Sequence, residues 1–134
     1  MRYEVFEHTA DAGITAYGES THEIFENAAY GMFDLMTEVR RVRPVGEVRV
    51  EVEAHDLGSL LVDWLSELLY IHEVEDVFLV EFDVELEGFR LTARARGEEV
   101  DPGRHRLQAQ VKAVTYHMLE VNPEEGYAIV VFDI

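Results

Sequence analysis

The sequence predicts an α+β fold in one domain covering residues 1–134, with mixed or antiparallel β-sheets packed against two amphipathic helices. Stretches of period-two alternation come before, between and after two stretches of helical periodicity. The three prolines, at 44, 102 and 123, all fall between those stretches, where they break neither ladder nor helix. One segment, 81–96, reads as a hairpin whose register is set by charge and apolarity together.

"YEVFEH" (3–8) and "GITAYG" (13–18) are short strands around the polar bend "TADA". In "STHEIFENAAYGMFDLMTEV", Ser20 followed by Glu23 is a capping box, and Phe25, Ala28, Ala29, Met32, Phe33 and Met36 form one helical stripe. "VRVEVEA" (48–54) alternates strictly, with Val48, Val50 and Val52 inward. Asp56 caps a second helix, where Leu57, Leu60, Leu61, Trp64, Leu65, Leu68 and Leu69 make a broad apolar face and Asp63 falls on the wet side. Each helix has one oily side and is expected to lie on a sheet.

In the hairpin, Gly88-Phe89 is a two-residue turn with glycine first, as a II′ turn prefers. The register then pairs Glu87 with Arg90, Asp83 with Arg94 and Glu81 with Arg96. The other face receives Leu86/Leu91, Val84/Ala93 and Phe82/Ala95. Each polar pair is worth about 0.2–1 kcal/mol, and one residue of slip would destroy both patterns. "QVKAVTYHML" (110–119) is a further strand, "NPEEG" (122–126) turns the chain, and "YAIVVFDI" (127–134) is apolar enough for a central strand.

With 134 residues and 48% hydrophobic content the chain can bury a real core. No apolar run is long enough to cross a bilayer and no charged-then-apolar leader opens the chain, so a cytoplasmic location is expected. The absence of cysteine excludes disulfides, thiolate nucleophiles and Cys-based zinc sites. Twenty-eight acids against 11 bases give a net charge of −17, which repels phosphate backbones and argues against an autonomous nucleic-acid binder. The same charge suits a cation site or a basic protein partner, and also serves solubility alone.

The candidate chemistry begins at the end of the chain, where Asp133 is followed by the carboxylate of Ile134. Two hydrated charges at a surface terminus need no partner. Asp11, in the polar bend "EHTADAG", supplies the competing reading: if that bend lies beside the last strand, Asp11, Asp133 and Ile134 converge. Such hard oxygen donors suit calcium, magnesium or manganese. Lys112 and His117 lie an odd distance apart on one strand and so point to opposite faces. Either can contact a partner, although an exposed lysine and a hydrogen-bonded histidine are the commoner outcomes. His8 adjoins the acidic bend and can support Asp11 from behind or serve structure alone. Asp101 and His105 in "EEVDPGRHRL" can form a small polar site, but Asp-Pro-Gly is first a turn.

Taken together, "EHTADAGITAYG", "LLVDWLSELLY", "VKAVTYHML" and "VVFDI" resemble the archease family over nearly the whole chain and in order. That resemblance implies a compact α+β domain acting as a non-enzymatic activator of the RtcB-type RNA ligase, which seals tRNA halves in splicing and repairs RNA. It implies promotion of the ligase's GTP-dependent, manganese-requiring guanylylation, multiple turnover and broader nucleotide use. It also implies a divalent-cation site, with calcium favoured over magnesium or manganese, on Asp11, Asp133 and Ile134. The family's first block often reads "DHTAD"; here Glu7-His8 keeps that acid as glutamate.

Two other classes compete. A metal-dependent hydrolase would use Asp11, Asp133 and a histidine, but the sequence has no phosphate-binding glycine loop, no HExxH and no evident nucleophile–base pair. A chaperone-like scaffold is permitted by the acidic surface.

Overall fold

The computed structural model describes residues 1–7 and 11–134. Among these, seven strands and two α-helices follow in the order β1 (Tyr3–Glu7), β2 (Asp11–Tyr17), α1 (Thr21–Met36), β3 (Gly46–Glu53), α2 (Leu57–Glu75), β4 (Val77–Glu87), β5 (Arg90–Glu99), β6 (Ala113–Asn122) and β7 (Tyr127–Asp133), with a 3-10 turn at Val39–Arg41. They form a four-stranded sheet, β1-β2-β7-β6, and a three-stranded sheet, β3-β5-β4. Every pairing is antiparallel, which settles the choice left open by the sequence.

Each helix serves both sheets rather than one: α1 packs on β2 and β4, and α2 on β6 and β3. This explains why α2 is apolar around most of its circumference, burying Val62 and Ile71 as well as its leucine face. The helices are locked together at Trp64, whose indole N–H donates to the Phe25 carbonyl at 3.0 Å. Ser20 accepts from the Glu23 N–H at 3.3 Å, and Asp56 from the Ser59 N–H at 2.8 Å, so both caps form. Glu23 reaches back one residue further than a standard capping box, to the N–H of Glu19.

The 81–96 hairpin has the register that its charges dictate. Gly88 has φ +61° and Phe89 does not share the positive sign, as a II′ turn requires. Of the expected ion pairs, Glu81–Arg96 forms straight across at 3.8 Å, and Arg96 also meets its β3 partner Glu47 at 3.1 Å; the others run diagonally, with Arg96 reaching Asp83 at 2.9 Å and Arg90 pairing with Glu51. Because β5 is the middle strand, Arg90 and Arg96 have acids on both sides to choose from, whereas Arg94 faces Arg49 on β3.

The last strand pair departs from expectation. β6 covers 113–122 rather than 110–119, so Lys112 lies just before it. Thr115 pairs with Val131 and Glu120 with Ile129, so three extra residues bulge from β6 between them. Strand parity therefore says nothing about the relative directions of Lys112 and His117.

Candidate functional site

β7 is the inner strand that makes the site. Ala128, Val130 and Phe132 are fully buried on the helix side, and Ala12, Ile14 and Ala16 of β2 point the same way. That shared pattern locks the β2–β7 register, in which Asp11 is the direct partner of Asp133. Asp11 is thus the first residue of a strand rather than part of a bend, because β7 offers it a pairing partner.

On the opposite face, Phe6 of β1 is the register partner of Gly13. A Cβ placed on Gly13 would lie 2.1 Å from the Phe6 ring, so the ring rests directly on the glycine. The next residue across the ladder is Val131, only 3% exposed. An aromatic cover thus lies two residues from the acidic pair.

Directly opposed residues place their Cβ atoms about 4.5–5.5 Å apart, and like charges there are destabilising. Among the described residues no ion pair reaches Asp11 or Asp133. Asp11 Oδ1 is buried and, among these residues, without a hydrogen-bond partner. A buried oxygen of this kind calls for a proton donor, water or a cation. Asp133 is exposed, so the pair opens to solvent on that side.

These residues fit a divalent cation in donor chemistry, but not as a closed cage. No group of three His, Asp or Glu side chains is set to hold a metal among the described residues. Two aspartates would therefore need main-chain oxygens, an oxygen of Ile134, or water to complete a shell. Ile134 packs partly buried against the core. The Lys112 N–H donates to the Asp133 carbonyl at 2.7 Å, and its side chain is exposed. His117 is exposed in the β6 bulge. His8 lies outside the described residues.

Asp101 and His105 belong to a separate, structural network. His105 is 2% exposed, and its Nδ1 accepts the Asp101 N–H at 2.9 Å. Its ring proton therefore sits on Nε2 and is donated to Glu98, 2.9 Å away. Glu98 also accepts from the Arg43 N–H and pairs with Arg104. Burial pushes the Glu98 carboxyl up, but these hydrogen bonds outweigh it and hold its pKa at about 2, against an ordinary 4.5. The network ties the 100–112 crossover to β5 and to the segment before β3. Sequence reasoning missed Glu98, since strand alternation assigns it to the wet face.

Fold and site together define a two-sheet α+β domain that presents a carboxylate pair where two inner strands end. The archease protein family model matches residues 3–134. Protein archease of Methanothermobacter thermautotrophicus is 46% identical over 128 residues, covering 92% of this chain and 91% of that protein. Protein archease of Pyrococcus abyssi is 44% identical over 124 residues, covering 90% and 87%. The solution structure of Methanobacterium thermoautotrophicum protein 1598 superposes with a TM-score of 0.82 at 41% identity, covering 99% of both chains. The chain belongs to the archease family.

Proposed function

We propose that the chain is an accessory activator of an RtcB-type RNA ligase, promoting its GTP-dependent guanylylation and multiple turnover in tRNA splicing and RNA repair. Family membership supports the partner. The observation that carries the mechanism is the Asp11–Asp133 pairing, with an Asp11 Oδ1 that has no hydrogen-bond partner among the described residues.

In this reading Asp11, Asp133 and an oxygen of Ile134 hold a divalent cation, calcium before magnesium or manganese. A bound cation would cancel the repulsion between the aspartates and place an electrophilic ion, its charge balanced by them, on an otherwise acidic surface. The two aspartates position that charge: Asp11 from a strand end with one oxygen buried, Asp133 from its exposed neighbour. Phosphoryl transfer depends on positioning and charge neutralisation, so an accessory protein can accelerate it without supplying a nucleophile. The net charge of −17 suits a basic ligase surface and disfavours stable binding of RNA by the chain alone. Among the described residues no helix is long and apolar enough to cross a membrane.

The test is ligase guanylylation with GTP and manganese at substoichiometric amounts of this protein. Wild type should stimulate turnover, and Asp11→Ala and Asp133→Ala should abolish stimulation. Undiminished stimulation by both variants would remove the acidic pair from the mechanism. RNA or nucleotide turnover without ligase would replace the activator reading with an enzyme.

A further inference from the structure

β6 is the outer strand of its sheet, and its three-residue bulge does not hang loose. The Thr115 hydroxyl donates to the Val131 carbonyl at 2.8 Å and accepts from the His117 N–H at 3.3 Å, clamping the start of the bulge to β7. Met118 sits at φ +55°, a conformation that costs a residue with a side chain about 1–2 kcal/mol. The result of this backbone work is that Tyr116 and Met118 stand in solvent, 59% and 55% exposed. Leu119 then returns to pack at the start of α2, beside Gly58. A strand built to satisfy only its own sheet would do the reverse and bury the apolar pair.

The surroundings indicate what covers these side chains. Ala113 opposes Asp133, and Tyr116 is three residues further along β6, roughly 10 Å at about 3.4 Å per residue. A standard interface covers about 800 Å² per partner, a disc of roughly 16 Å radius, so one footprint spans both features. Exposed acids flank the anchors: Glu120, Glu124 and Glu125 toward the hairpin tip, Asp133 at the other end. Tyrosine and methionine inside an acidic rim fit a partner that is basic with an apolar recess. A second copy of this chain would bring two such rims, each on a protein of charge −17, against each other.

We propose that Tyr116 and Met118, thrust out of β6 by its bulge, are the apolar anchors by which this protein docks on a basic surface of the RNA ligase. The inference rests on the activator reading and adds the docking face to it. Anchoring and activation are then separable: the bulge sets affinity, while the aspartate pair sets the effect once bound.

The experiment titrates wild type, Tyr116→Ala/Met118→Ala and Asp133→Asn into the cognate ligase with GTP and manganese, following both binding and guanylylation. Met118→Gly is included because glycine accepts the φ of +55° without strain and removes only the side chain. The double variant should raise the half-maximal concentration at least tenfold and keep the maximum within twofold; Met118→Gly should raise it severalfold. Asp133→Asn should do the opposite, losing the maximum with less change in affinity. Half-maximal concentrations within twofold of wild type for both bulge variants would overturn the docking proposal and leave the activator reading standing. A wild type that neither binds nor stimulates the ligase would overturn both. Self-association of wild type that the bulge variants abolish would assign the anchors to a second copy and overturn the proposal.

Discussion

Asp11 and Asp133 face each other across the β2–β7 ladder, with the Asp11 Oδ1 buried and unpartnered among the described residues. Their juxtaposition opposes folding unless something positive or protic stands between them.

Neutralising one of them should therefore stabilise the metal-free protein. Asp133→Asn is expected to raise the melting temperature in chelator, by up to about 1 kcal/mol in stability. If the proposed cation site binds calcium, wild type should gain about 2.7 kcal/mol at a hundredfold excess over Kd, and the same variant should lose most of that gain. Thermal melts with and without chelator check both signs. An unchanged calcium shift in the variant would take Asp133 out of the cation site.

Gly13 lies beneath Phe6 two residues from Asp11, and a Cβ there overlaps the ring at 2.1 Å. Gly13→Ala should cost about 1–3 kcal/mol as an overpacking change. Adding Phe6→Ala should recover part of that loss, giving strong non-additivity in a double-mutant cycle measured by urea denaturation. Additive costs would show that the ring is not what the glycine accommodates.

The Glu98 network makes stability depend on acid. Its folded pKa of about 2 lies below the ordinary 4.5, so the charged form is the one the fold favours. That contribution is complete above about pH 4.5 and fades as pH falls toward 2. In Glu98→Gln the stability curve should be lower at neutral pH and flatter across that window. Equilibrium unfolding at several pH values tests this; parallel curves would mean that other carboxylates carry the acid sensitivity.

Trp64→Phe isolates the bond between the helices. It keeps an aromatic ring but removes the 3.0 Å indole donor from the Phe25 carbonyl, which stays within the hydrogen-bond ladder of α1, at a cost of about 0.5–1.5 kcal/mol. A loss well below that range would indicate that water or another donor replaces the indole.

Where the sequence was legible, the reason is local. The hairpin register of 81–96 could be read because charge and apolarity alternate in phase on two adjoining runs and glycine marks the turn. The helices could be read from their stripes and from Ser20 and Asp56 at their starts. The β6 bulge could not, since "VKAVTYHML" alternates well enough to pass for a plain strand; the bulge appears only when Thr115 and Glu120 are matched to Val131 and Ile129. Nor could the partners of Glu98, which come from Arg43, Arg104 and His105 on loops that the pattern of one strand does not describe.

By itself, then, the sequence determined the elements, one hairpin, the acidic balance and a short roster of candidate residues. Periodicity and capping act over a few residues and leave their mark in order along the chain. Only the tertiary structure decided that the two aspartates are neighbours, that each helix serves two sheets, and that Tyr116 and Met118 face solvent. Those facts depend on which distant strands pair, and pairing is chosen by burying Ala12, Ile14, Val130 and Phe132 together in one core.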